Sequence, residues 1–457
     1  MDFDSKKFAN ERFQSLNQVE VEREGKYVLY WMQRSQRAEW NMALEYSIEM
    51  GKKLDKGVVV CFGLMDDYPE ASERHYAFML EGLAEVAEKL KQRNIAFVLR
   101  IGHPVDVAAE LATDACMVIC DKGYLRHMRK WRSKLADRLE VPLIQVEDNA
   151  VVPVETASDK EEYAARTIRK KINEKLSQFG EEVHPLKVAK STLQLALKGE
   201  DLSETNKLLA KLNPSKESPK VETFKGGTGE AKKHFRHWLN EGYLNYDEDR
   251  NQPHLENVSH MSPYLHFGQI SPLWLLDQMK PKRGDNKASY LEELIVRREL
   301  AINFVWFNDT YDSLKAVPEW AQETLETHKS DKREKVYTMD EMENAKTHDP
   351  YWNKAMQTMK DRGYLHNHMR MYWGKQILLY TNTPQYAHRV VLELNNKYFL
   401  DGRDPNSYAN IAWLFGNHDR GWTERAVFGK VRSMTKSGLE RKIDTKAYLN
   451  KFGDETE

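Results

Sequence analysis

The stretch YLHNHMRMYWGKQILLY at 364–380 places Arg370, Trp373, Ile377 and Tyr380 at i, i+3, i+7 and i+10, one stripe of a 3.6-residue helix. A guanidinium inside an apolar stripe demands an anionic partner, because an unpaired buried charge costs too much. A carboxylate within a helical core would answer that demand, and so would an anionic ligand. His366 and His368 lie two apart, on different helix faces, and make a poor metal pair, so no metal site is expected. Downstream, Asp401-Gly402 and Asp404-Pro405-Asn406 are consecutive turn signatures, with a helix resuming at Ser407. Carboxylates and amides beside a glycine can hold sugar hydroxyls or the edge of a planar ring; any tight loop also uses them.

Tryptophan is concentrated in the same half. It stands at 31, 40, 131 and 238, then seven times between 274 and 422. A large helical core uses Trp for volume, and a planar ligand or an electron path uses it for its ring. Two stretches are locally basic although Lys+Arg 69 nearly balance Asp+Glu 70. Residues 420–446 carry eight Lys/Arg against three acids, with Trp422 and Phe428 interleaved, and 122–138 carry seven against one. Each is either a solvated helical face or a local nucleic-acid face; the net charge of −1 excludes a general basic field.

The elements that must position these residues divide the chain. From Tyr27 to Asn149, apolar runs (27–32, 58–62, 96–100, 117–120, 143–147) alternate with helix-period stretches (36–53, 72–93, 104–111, 125–139). This pattern predicts a Rossmann-like α/β domain over 27–150, a parallel sheet with helices on both faces that binds ligands at the carboxyl ends of its strands. No GxGxxG follows the first strand. Residues 1–26 read as a polar arm and 151–227 as a connector with an exposed linker NPSKESPK at 213–220. The Gly226-Gly227-Thr228-Gly229 run reads as a turn and helix cap, since no Lys-Ser/Thr follows it as in a phosphate loop. Residues 228–457 show helical periodicity almost throughout, predicting an all-α domain. Cys61, Cys116 and Cys120 form no CxxC pair and read as buried thiols. The longest apolar run, 58–65, is too short to cross a bilayer, and the N-terminus has no apolar signal core, so a cytoplasmic protein is expected.

Several strings together carry a resemblance. PYLHFGQIS (263–271), LEEL with RREL (291–300), THDPYWN (347–353), MRMYWGKQIL (369–378), DGRDPNSYANIAW (401–413) and HDRGWTERAVFGKVR (418–432) closely resemble the class II cyclobutane pyrimidine dimer photolyases. VVPVETASDKEEYAARTIRKK (151–171) resembles that family's inter-domain segment. The likeness runs from about 27 to 452 and is weakest over 180–225.

The resemblance implies an α/β antenna domain and a helical domain holding a U-shaped FAD, active as FADH⁻, which splits dimers in double-stranded DNA under blue light. It implies that Tyr246 and the segment Val258, Ser259, His260, Met261 and Ser262 contact the flavin's phosphates and ribityl chain. Arg370 and Asp401 would pair beneath the isoalloxazine, Gly402 and Asn406 would meet the adenosine side, and Asn395 would face flavin N5. Glu293 would touch the dimer's carbonyl edge and stabilise its transient radical anion. Met371 and Trp413 would wall the pocket for the flipped dimer. Arg250, Asn251, Lys430 and Arg432 would meet DNA. Trp373 and Trp352 match the proximal and middle members of the family's electron relay. Tyr380 stands where a third Trp is expected, Glu155 replaces another Trp, and Arg297 stands where some members have Trp. Some relatives carry a deazaflavin antenna, so one is a candidate second chromophore in the N-terminal domain. A monomer is expected. The rival readings are a cryptochrome-like blue-light signalling flavoprotein without repair and a non-catalytic flavin- or DNA-binding module. Retention of Glu293 and a chain ending at Glu457 weigh against the first, and retention of Trp352, Trp373 and Asn395 against the second.

Overall fold

Strands β2 (Tyr27–Trp31), β3 (Gly57–Leu64), β5 (Ala115–Asp121) and β6 (Leu143–Val146) are buried along their whole length, as runs such as GVVVCFGL must be when helices cover both faces. The computed structural model describes residues 8–452. With β1 (Phe13–Ser15) and β4 (Ala96–Ile101) the sheet runs β1-β6-β5-β2-β3-β4. β2 to β6 are parallel, and β1 pairs antiparallel with β6. The strand order reverses at β2, between β5 and β3, which is where such sheets open a ligand crevice. β1 was not expected: it lies in the stretch read as a polar arm, and three residues are too few to show a period. Arg12 ties that stretch down, its guanidinium donating to the carbonyls of Glu147, Ala150, Val151 and Phe179.

Helices α1 (Met42–Leu54), α2 (Glu73–Gln92), α3 (Pro104–Ala112) and α4 (Arg126–Ala136) match the helix-period stretches, with α1 and α3 each ending one residue beyond theirs. α1 starts six residues later than its periodicity predicts. The Asp121 carboxylate at the end of β5 accepts the backbone N–H groups of Gln33, Arg34 and Ser35 at 2.9–3.0 Å, holding this segment as a loop over the strand ends. Asn41 then caps α1 by accepting from the Leu44 N–H. All three cysteines are buried free thiols.

The second half is helical; among the described residues no strand follows β6, and Arg425 and Gly429 form an isolated bridge. The Gly226 to Gly229 run caps the Thr228–Glu241 helix, and its N–H groups donate to Glu81, Gln269 and Glu85. Residues 213–220 are mostly exposed, yet pinned: carbonyls of Ser215 and Ser218 accept from the first N–H groups of α2. The halves meet through α2. The Arg74 guanidinium donates to carbonyls of Tyr398 and Lys360 at the ends of two helices, and His75 Nε2 bonds the Phe399 carbonyl at 3.0 Å. Ser72 donates its N–H to His75 Nδ1, so Nε2 carries the proton. Among the described residues no helix is long and apolar enough to cross a membrane.

Candidate active site

The Asn367–Tyr380 helix carries the stripe. His366 caps it, Nδ1 accepting from the His368 N–H. One turn in, Arg370 Nη2 lies 2.9 Å from Asp401 Oδ1, both side chains about nine-tenths buried. The guanidinium carbon sits 3.7 Å from the centre of the Phe399 ring. The anion demanded by the stripe is therefore a carboxylate from the turn between the Pro384–Tyr398 and Pro405–Leu414 helices. Gly402 lets that turn close: a Cβ there would lie 2.9 Å from the carbonyl oxygens of both Asn395 and Phe399. Asp404 caps the next helix by accepting from the Asn406 N–H, and Pro405 opens it. Burial opposes the charge of Asp404, but Arg34 and His266 hold its carboxyl well below the usual range.

Further along the stripe three aromatic rings line up. Trp373 and Trp352 stack with centroids 6.4 Å apart and planes 14° apart, and the Trp352 indole N–H donates to the Trp373 carbonyl. Tyr380 meets Trp352 edge-on at 5.7 Å. All three are at least 97% buried. Asp349 caps the Pro350–Arg362 helix with one carboxylate oxygen, and its other oxygen accepts from the hydroxyls of Tyr372 and Tyr380. Burial and the Asp349 charge push the Tyr380 phenol well above its ordinary pKa.

Asn395, buried in the Pro384–Tyr398 helix, donates its amide to the Asn396 side chain. Tyr246 is buried against Trp238 and Tyr290. The segment 258–262 runs into a short helix at Ser262–His266, with His260 in the left-handed region at φ +53°. Near it, Asn257 Oδ1, His260 Nδ1 and His366 Nε2 are buried without a partner among the described residues, as is the Trp373 indole N–H. Burial pushes both imidazoles down to about 4, so they are neutral near pH 7. Buried, unfilled donors and acceptors are costly in a finished protein, and a flavin dinucleotide, with phosphates, hydroxyls and ring nitrogens, supplies partners for them. The residues present fit such a group.

The residues expected to meet DNA form two clusters. Arg250 Nη1 and Glu293 Oε1 pair at 3.0 Å beside exposed Asn251. Glu293 lies in a π-helical turn, Glu292–Arg297, where the backbone widens. In the other, Trp413 is flanked by cations, with Lys375 Nζ 4.8 Å and the Arg432 guanidinium 5.7 Å from its ring centre. Arg432 also pairs with Asp419 through two nitrogens and stacks on Trp422 at 4.1 Å. Met371 is half-buried and Lys430 exposed. Of the departures, Glu155 pairs with Lys122 and Arg297 with Glu292, so both serve as ion-pair partners.

Sequence reasoning missed Lys375, a charge in an apolar stretch that the argument used for Arg370 would have found. It is buried, bonds the Leu414 carbonyl, and burial lowers its pKa to about 7. A cavity in the N-terminal half was expected only by its place. It opens at the carboxyl ends of β2 and β3, lined among others by Arg34, Phe62, Tyr68, Trp131, His266 and Arg403. Tyr68 there bonds His127 at 2.8 Å.

Residues 28–189 match the DNA photolyase family. The chain is 45% identical over 444 residues to the deoxyribodipyrimidine photo-lyase of Methanothermobacter thermautotrophicus, covering 97% of this chain and 98% of that one. It is 38% identical to that of Potorous tridactylus, covering 93% and 81%. Among solved structures, a class III photolyase from Agrobacterium tumefaciens superposes with a TM-score of 0.72 at 18% identity, covering 94% of this chain and 86% of that one. A Synechocystis cryptochrome superposes at 0.70 and 12% identity, covering 93% and 87%. The two-part fold is common to both kinds of protein. An identity of 45% along nearly the whole of both chains goes further, and by it this chain belongs to the DNA photolyase family.

Proposed function

We propose that this protein repairs cyclobutane pyrimidine dimers in double-stranded DNA under blue light, with FAD, as a monomeric photolyase of class II. The observation that carries the reading is the junction, on one helix, of the Arg370–Asp401 pair with the stacked Trp373–Trp352 pair. The relatives named deoxyribodipyrimidine photo-lyase support it. The ordered motif strings between 263 and 432 support the class. When bound in its reduced form, FAD supplies the electron that opens the dimer and receives it back.

The chain's own residues bind and orient. Arg370 offers a cation held in place by Asp401, and Gly402 and Asn406 bring backbone and amide close on the adenosine side. Tyr246 and the segment 258–262 take the phosphates and ribityl chain. Glu293, kept at the surface by Arg250, meets the dimer's carbonyl edge, where a hydrogen bond stabilises developing charge. Trp413 and Met371 wall the dimer, with Asn251, Lys430 and Arg432 on the strand around it. Trp373, Trp352 and Tyr380 carry electrons inward when the flavin must be reduced. The cavity at the carboxyl ends of β2 and β3 would hold the antenna, a planar deazaflavin-type chromophore, with Phe62, Tyr68 and Trp131 as aromatic walls and Arg34 and Arg403 as polar lining.

Two measurements test the reading. The absorbance of purified protein should show flavin bands, and a dimer-containing oligonucleotide should lose its dimer under blue light but not in the dark. Flavin-loaded protein that leaves the dimer intact under light would shift the reading to a signalling photoreceptor.

A further inference from the structure

Asn395 is the amide that the family resemblance sets against the flavin, and which end of it faces outward is decided by a hydrogen-bond chain reaching into the other domain. The chain is anchored at the Arg403 backbone N–H, which can only donate, and which donates to Asn396 Oδ1 at 3.0 Å. The opposite end of the Asn396 side chain is therefore its NH₂. That NH₂ donates to Glu70 Oε2 at 2.6 Å, and an ionised carboxylate can only accept. Asn396 Oδ1 also accepts from Asn395 Nδ2 at 3.0 Å. Asn395 thus spends its NH₂ inward and keeps its carbonyl oxygen for whatever it faces.

Glu70 belongs to the loop between β3 and α2, so its bond to Asn396 crosses between the domains. Two features show that the crossing is built. The Arg403 guanidinium donates to the carbonyls of both Glu70 and Asn396, clamping the two together. Glu70 and Arg403 also stand at φ +59° and +66°, a region non-glycine residues rarely occupy unless surrounding contacts hold them there. Asn396 itself is wholly buried, so neither end of its amide has water to fall back on.

We propose that Glu70 is a positioning residue for Asn395, acting through Asn396, and fixes the Asn395 carbonyl oxygen rather than its NH₂ toward the flavin. This rests on the reading that Asn395 faces flavin N5. An acceptor there favours flavin forms that carry a proton on N5, and a donor would favour forms that lack it. Without Glu70 the Asn396 NH₂ loses its acceptor, and the Arg403 N–H alone is left to hold the orientation of both amides.

The test is a redox titration of FAD-loaded wild type, Glu70→Ala, Glu70→Gln, Asn396→Leu and Asn395→Leu, with a thermal melt of each. Glu70→Ala should shift the equilibrium between flavin forms by about tenfold, ~59 mV for a one-electron couple. Glu70→Gln, whose amide oxygen can still accept from Asn396, should stay near wild type. Asn396→Leu should move in the same direction as Glu70→Ala; should it fail to fold, the half-exposed Glu70 site still decides the matter. If Asn395→Leu shifts the potential while Glu70→Ala leaves it unchanged, the relay is overturned and the flavin-facing role of Asn395 stands. If Asn395→Leu changes nothing, that role falls and the relay with it.

Discussion

Arg370 and Asp401 are almost dry, so neither can be removed without stranding the other. Arg370→Ala should therefore lower stability by about 3–5 kcal/mol and reduce the FAD retained on purification. A variant with full FAD content and an unchanged melting point would sink the assignment. The residue scale is also where sequence reading succeeds or fails for visible reasons. Arg370 was legible because its period and its charge contradict each other unless a partner exists. Asp349 and Asn396 were not, because folding brings their partners together from far away: Asp349 reaches Tyr380 across 31 positions and Asn396 reaches Glu70 across 326. Asp349 changes what Tyr380 can do. A phenol gives up an electron only if its proton also leaves, and Asp349 Oδ2 lies 3.3 Å from the hydroxyl, ready to accept it. Beyond Tyr380, the half-buried Tyr337 lies edge-on at 5.3 Å, its hydroxyl bonded to exposed His348. Transient absorption of oxidised, FAD-loaded protein should show a tyrosyl signal that disappears in Tyr380→Phe, with slower net photoreduction. Identical traces carrying only a tryptophan radical would remove Tyr380 from the route. Repair by enzyme already reduced should not change.

At the scale of elements, the π-helical turn Glu292–Arg297 widens the backbone where Glu293 must project. Glu293 is half-exposed, and among the described residues its side chain has one hydrogen bond, to Arg250, so the fold does not depend on that side chain. Glu293→Gln should keep its melting point and its FAD while repairing fewer dimers per absorbed photon, by on the order of 10-fold or more if the carboxyl acts mainly on the transition state. Equal yield in both proteins would exclude a catalytic role. The 418–432 segment refines the expectation for DNA. Arg432 is engaged by Asp419 and stacked on Trp422, whereas Lys430 is exposed. Affinity for DNA should fall with log[salt] at about −0.9 per phosphate contact, and Lys430→Ala should flatten that slope by about one contact. Arg432→Ala should act more on discrimination between damaged and intact DNA, through the Trp413 and Trp422 rings. A dissociation constant indifferent to salt between about 50 and 200 mM would contradict the patch.

Across the whole molecule, alternation of apolar runs with helical periods was enough to anticipate the parallel sheet and the helical second half, because each element's burial follows from its own residues. What alternation could not carry were features imposed by a distant group: the late start of α1, set by Asp121, and the docking of β1, set by contacts with β6 and the connector. Lys375 was legible as a charge in an apolar stretch, but its protonation state is set by helix packing. It sits wholly inside the helical domain, its ammonium bonded to the Leu414 carbonyl and facing the Trp413 ring, with Asp419 drawing its pKa up and Arg432 pushing it down. Burial dominates and leaves the folded pKa at about 7, against the ordinary lysine value of 10.5. Between those values the unfolded chain binds a proton that the folded protein does not, so this group makes stability rise as pH increases from about 7 toward 10.5. From pH 7 to pH 9 the gain is about 2–3 kcal/mol, at 1.36 kcal/mol per unit. Below pH 7 both states are protonated and the contribution is flat at its least favourable level. Lys375→Met keeps the volume and removes the titration. The difference in stability between wild type and Lys375→Met, followed by denaturant unfolding, should therefore move in favour of wild type as pH rises from 7 to 9. A difference that stays constant over that range would mean that Lys375 remains charged in the folded protein, stabilised by the Trp413 ring and the Leu414 carbonyl against the cost of its burial.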